Sequence, residues 1–285
     1  MNKVFNKFGF VMMWLSTLFT AMMIAVIFIF LYDDAAEFFR QYSVWQFLSG
    51  TRWKPSAGQY GVLPMFLGSL ITTVLSLLIA LPIGLSSVLY CKYYAPTWLQ
   101  KIFRSLVGVL AAIPSIVYGL FGLSFLAPLV QKIAGGTGFS VITTALLLSL
   151  MILPTVMTLY DSELDALPKE YYICALALGE SRERSVMQCV VPMSSYGIFS
   201  AGVSALGRSV GETMAVLMIA GNVAKIPSSL ADGVRTLTTN ISLEMGYATG
   251  MHRQALIACG WLLLVMILIL ELLIFQLKRK FLNEK

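Results

Sequence analysis

Six stretches of this chain, 8–32, 62–90, 105–130, 139–160, 193–223 and 254–277, are apolar almost without interruption. Crossing a hydrocarbon core takes about 20 apolar residues in a helix. A backbone surrounded by lipid must satisfy its own N–H and C=O groups, and a helix does so within one segment. The runs therefore predict six transmembrane helices and an all-α integral membrane fold. With 58% hydrophobic residues, 12% charged residues and a mean hydropathy of +0.81, the chain carries too little polar surface for a soluble domain of its size.

The first run raises the question of a signal peptide. It is too long for a signal core and no small-x-small cleavage site follows, so a retained helix is expected. Residues 33–60 form a polar, aromatic-rich connection, with Trp45 and Trp53 suited to the water–lipid boundary. Residues 92–104 read as a short loop with Lys92, Lys101 and Arg104. The third run holds Gly108, Pro114, Gly119, Gly122 and Pro128, which fits either a kinked packing helix or a broken helix beside a water-filled path. The division expected is an N-terminal helix and external loop at 1–61, then a five-helix core at 62–285 that includes a loop at 162–192.

Twelve of the 20 Lys and Arg residues lie at the two ends, in 92–104 and in 162–191; seven lie in the alternate connections, and Arg208 falls inside a span. The positive-inside bias thus places both termini and the 162–191 loop in the cytoplasm. The net charge of +6 comes with no basic face carrying interleaved aromatics, which sets nucleic acid aside. No metal site is expected, since His252 is the only histidine and no C-x-x-C occurs among Cys91, Cys174, Cys189 and Cys259. The turn Gly135-Gly136-Thr137-Gly138 lacks the pattern of a phosphate-cradling loop, and the chain has no nucleotide-binding motif of its own.

Two places carry chemistry. In the 162–191 loop, Leu167, Tyr171, Cys174, Ala175 and Leu178 recur at helical spacing and predict one apolar helix face. Gly179 is placed to stop that helix, and Glu180 with Arg184 forms an i,i+4 pair. Such a helix fits a groove on a partner or lies on lipid. In the fifth run, Arg208 and Glu212 stand four apart and predict a shared helix face, while Gly207 and Gly211 offer a small-x-x-x-small surface for helix packing. An intramembrane guanidinium costs a few kcal/mol unless it faces protein, water or a counter-ion. It either offers N–H donors to an anion in a pathway, with Glu212 orienting it, or braces two helices as an ion pair. Ser209 and Thr213 are grouped with the pathway residues.

Pro168-Lys169-Glu170, Ala175-Leu176-Ala177-Leu178-Gly179 and Val190-Val191-Pro192 resemble the "EAA" loop of bacterial ABC-importer permeases. The family's acidic position falls here on Ile173. The resemblance implies a type I ABC importer permease fold whose coupling helix, with Tyr171, Cys174, Ala175, Leu178, Gly179 and Glu180, seats in an ATPase subunit. Gly207-Arg208-x-x-Gly211-Glu212-Thr213-Met214-Ala215-Val216 with Gly221-Asn222 is similar to the run of phosphate-specific permeases of the PstC type, as is 112–122. That similarity implies import of phosphate by alternating access. The chain would be a non-catalytic subunit of the bacterial inner membrane that binds no cofactor, with ATP and Mg used by two PstB-like ATPase subunits. A PstA-like second permease and an extracytoplasmic PstS-like binding protein would complete the complex, in contact with lipid. Rival readings are a permease for sulfate, molybdate or phosphonate, an ATPase-independent anion transporter, and a membrane-embedded phosphate sensor.

Overall fold

A computed structural model describes the backbone of residues 2–283 and the side chains of 10–276. The side chains of Lys3, Lys7, Lys278, Arg279, Lys280 and Lys285, which weigh in the charge asymmetry, lie outside the described residues. The helices are α1 (Asn2–Gln41), α2 (Val44–Ser49), α3 (Leu63–Tyr93), α4 (Thr97–Ala112), α5 (Ser115–Ala134), α6 (Val141–Ala166), α7 (Glu170–Ala177), α8 (Arg182–Met193), α9 (Ser195–Gly211), α10 (Met214–Ile219), α11 (Leu237–Glu244) and α12 (Gly250–Asn283). A two-residue hairpin pairs Trp53 with Tyr60 and Lys54 with Gln59.

Five helices among the described residues are long and apolar enough to span a bilayer: α1, α3, α5, α6 and α12. A sixth span is the pair α8 and α9, bent by 64° at Ser194. Six crossings therefore hold, with corrected boundaries. α1 runs on through Asp33 and Asp34 to Gln41 because Ala35 and Phe38 turn inward onto Phe47 and Tyr60. The expected 92–104 loop is mostly helix, since α4 occupies Thr97–Ala112 and the third span begins only at Ser115. Pro114 explains that break. The residue before a proline is disfavoured in the α region, and Ile113 is extended at ψ 126.

α3 carries a stripe of small buried residues four apart, Gly68, Thr72, Ser76, Ala80 and Gly84, which meets several neighbours: Gly68 lies on the Arg235 backbone, Ser76 on Ser209 of α9 and Gly84 on Val156 of α6. A Cβ on Gly84 would come within 2.8 Å of Val156 Cγ1, so the two backbones approach as closely as glycine permits. Ala201 and Ala205 of α9 close the same layer against Ile152 and Val156. The antiparallel pair α6 and α9 thus sits at the centre, and α9 carries Arg208 on its edge.

At the end of the bundle opposite the 162–191 loop, Glu244 is 7% exposed and accepts from Arg235 (2.8 Å), Trp53 Nε1 (2.7 Å) and the His252 ring (2.9 Å). This carboxylate ties the 53–60 hairpin, α11 and α12 together.

Candidate functional site

α9 is short because both ends are set by polar contacts. At its start, Tyr160 and Ser194 share a hydrogen bond of 2.8 Å at the bend. At its end, Glu212 is extended (φ −69, ψ 131) and the helix stops at Gly211. The Glu212 carboxylate then accepts from the Ala215 N–H at 3.0 Å and caps α10. A helix start leaves its first amides without partners and carries partial positive charge, so a carboxylate is favoured there. The Glu212 carbonyl in turn accepts from the Thr238 hydroxyl at 3.0 Å.

This corrects the expected shared face. Arg208 and Glu212 belong to different segments, and among the described residues Arg208 forms no ion pair. Its Nη1 donates to Thr155 Oγ1 at 3.2 Å, and the side chain is half-buried. Thr155 is 14 residues from the start of α6 and 11 from its end. At 1.5 Å per residue it lies about 21 Å and about 16 Å from the two ends, close to mid-span.

The other residues of this run divide between two faces. Ser209 is buried in the seam with α3, where its hydroxyl meets that of Ser76 at 2.9 Å. Thr213 is half-buried and donates to the Gly211 carbonyl at 3.2 Å. A Cβ at Gly207 or Gly211 would meet nothing within 4 Å. The two glycines therefore seat no described helix of this chain; Gly197 does, where a Cβ would strike the Glu163 side chain. Ser200, Ser204, Gly207 and Gly211 recur at i, i+4, i+7 and i+11 and make one open stripe, with Arg208 at its border.

Two further residues escaped sequence reasoning. Thr155 gave a faint signal, as a hydroxyl directly after Pro154. Glu271 gave a plain one, as a carboxylate inside the last apolar run. It is half-buried and lines a cavity of about 400 Å³ with Ser200, Ser204 and Leu268, below Arg208 along the same stripe.

The 162–191 loop carries the second surface. α7 ends as expected: Gly179 has φ +89, its N–H donates to the Leu176 carbonyl, and the Glu180 N–H donates to the Ala175 carbonyl. This paired closure needs a left-handed residue, which glycine supplies without a Cβ clash. Tyr171, Cys174 and Leu178 are exposed, Leu178 at 86%. Ala175 departs from the expected face and is buried, because Tyr172 and Ala175 together turn α7 onto the bundle, with Tyr172 on Tyr93 at 4.9 Å. Ile173 points outward at 58% exposure. Arg184 lies 3.8 Å from Glu180, an exposed pair that contributes a few tenths of a kcal/mol.

Residues 80–283 match the family model of binding-protein-dependent transport system inner membrane components. The chain is 37% identical over 234 residues to a probable ABC transporter permease, YqgH, of Bacillus subtilis, covering 80% of this chain and 76% of that protein. It is 33% identical over 248 residues to the phosphate transport system permease PstC of Haemophilus influenzae, covering 79% of each. Among solved structures, a bacterial alginate ABC transporter chain superposes with a TM-score of 0.66 at 16% identity over 94% of both chains. An inward-facing MetNI methionine transporter chain gives 0.59 at 17% identity, over 81% of this chain and 99% of that one. At those identities the structures speak for the fold alone, and the fold is that of a type I importer permease. A multi-pass bundle with a broken charged span, an exposed helix on the 162–191 loop and these sequence relatives leads to one conclusion: the chain belongs to the binding-protein-dependent transport system inner membrane components, as an ABC importer permease of the PstC type.

Proposed function

We propose that this permease moves inorganic phosphate into the cytoplasm. The observation that carries the reading is Arg208, a guanidinium near mid-span on the border of an open stripe, with no carboxylate partner among the described residues. A half-buried cation in that position is stabilised by an anion that visits it. The planar fork, with most of its N–H donors unused, suits the paired oxygens of phosphate. Relatives named as phosphate permeases add support. Thr213 and Glu212 border the break and complete the passage, Glu212 as an acceptor for a proton-bearing oxygen; Ser209 supports it from the seam behind.

Gly207 and Gly211 leave room for a helix of a PstA-like sister subunit across the passage. Tyr171, Cys174 and Leu178 face two PstB-like ATPases, where ATP and Mg are used; Gly179 and Glu180 shape that contact and Ala175 anchors it. This chain catalyses nothing and binds no cofactor. A PstS-like protein delivers phosphate from the far side, and both termini are cytoplasmic in a bacterial inner membrane. ATP binding draws the docking loops together and opens the Arg208 passage outward; hydrolysis returns it inward.

The test is ATP-driven uptake of labelled phosphate by vesicles that contain the co-expressed complex, with excess sulfate. Uptake that sulfate leaves intact supports phosphate. Uptake that sulfate abolishes favours a permease for another oxyanion, and uptake without ATP favours an ATPase-independent carrier. A reporter fused after Lys285 should report cytoplasm.

A further inference from the structure

Three helices meet beside the docking loop. Lys92 lies at the end of α3, Arg104 in the middle of α4, and Asp161 and Asp165 in the last two turns of α6. Arg104 Nε is 3.0 Å from Asp161 Oδ2, while its Nη2 is 3.1 Å from Asp161 Oδ1 and 3.0 Å from Asp165 Oδ2. Lys92 Nζ is 2.8 Å from Asp165 Oδ1 and 3.4 Å from the Asp161 carbonyl. Two carboxylates four apart on one helix face repel each other. One guanidinium fork spans both, the ammonium takes the remaining oxygen, and the group is neutral. Asp165 stands two residues before Leu167, where α6 gives way to the docking loop.

The contacts continue from there. α4 reaches α5 through the Pro114 corner, which the Tyr118 hydroxyl closes by donating to the Leu110 carbonyl at 2.8 Å. Tyr118 and Gly119 pack against Ala215 and Met218 of α10, the helix that Glu212 caps. A contiguous chain of contacts thus runs from the loop through α4 and α5 to the break after Arg208.

The Arg104 and Asp165 side chains are 55% and 52% exposed, while those of Lys92 and Asp161 are 15% and 21% exposed, so the network is half in water and half against the bundle. Their geometry fixes the ends of α3 and α6 to the middle of α4. We propose that Arg104, with Lys92, Asp161 and Asp165, is a positioning clamp that makes the ends of α3 and α6 and the whole of α4 move as one body with the docking loop, so that its displacement reaches the Arg208–Glu212 break. The inference rests on the docking role of that loop.

The experiment uses vesicles holding the complete co-expressed complex, and measures phosphate uptake and ATP hydrolysis on the same preparation. Arg104→Gln should lower phosphate moved per ATP by about fivefold or more, with hydrolysis close to wild type. Arg104→Lys keeps the charge and loses the fork, and should fall between. An unchanged ratio overturns the clamp, and so does a proportional fall in uptake and hydrolysis, which marks a merely structural loss. If Arg104→Gln does not assemble, Asp165→Asn leaves the Arg104–Asp161 pair in place and should lower the ratio in the same way; no change overturns the proposal. Gly179→Leu separates the two readings. If it couples normally, the docking role falls and the clamp with it; if it uncouples while Arg104→Gln does not, the clamp alone falls.

Discussion

Arg208 reaches across to Thr155, 3.2 Å away on α6, and leaves Glu212 to cap the next helix. The guanidinium is therefore oriented by a neutral hydroxyl, and its charge is not cancelled by its own segment. On the function proposed above, that charge is left for a passing anion.

Replacing Arg208 by Gln keeps a donor and removes the charge. Hydrogen bonds to charged groups are worth about 1.5–3 kcal/mol, so uptake should fall by roughly 10- to 150-fold. Co-purification of the complex should be unchanged. Wild-type uptake by this variant removes Arg208 from the passage.

Thr155→Val keeps the shape of the side chain and deletes the hydroxyl. The loss of one neutral partner costs about 1 kcal/mol, which corresponds to roughly fivefold in uptake. A concentration series should show the loss in the apparent affinity for phosphate. An effect as large as that of Arg208→Gln would mean that Thr155 touches the solute itself.

Two substitutions at Glu212 separate capping from charge. Glu212→Ala removes the acceptor for the Ala215 amide and should destabilise the start of α10 by about 1 kcal/mol. Glu212→Gln retains that acceptor. If the cap is what matters, Gln transports and Ala does not; if both fail alike, the negative charge is required.

Gly179→Leu places a side chain at φ +89, where a Cβ costs about 1–2 kcal/mol. The end of α7 should unwind and ATP hydrolysis should lose its stimulation by the loaded binding protein. Retained stimulation would show that α7 is not the ATPase contact.

Glu244→Ala strips three partners at once and leaves Arg235 half-buried without its carboxylate. Breaking such a pair costs about 3–5 kcal/mol. The purified permease should melt at a clearly lower temperature. An unchanged midpoint would show that water replaces the carboxylate there.

Length and hydropathy alone determined that the chain crosses a bilayer about six times, because lipid offers a backbone no other partner than itself. The end of α7 at Gly179 and the Glu180–Arg184 pair were equally legible, since both depend on residues a few positions apart. The fifth span was not. Whether residue 212 continues a helix or caps the next depends on Thr238, which arrives from 26 residues further along the chain. The partner of Arg208 lies 53 residues away on α6, and the inward turn of Ala175 depends on Tyr93 lying behind Tyr172. Local spacing decides which residues share a helix; only the packed bundle decides where that helix stops and which of its faces meets protein.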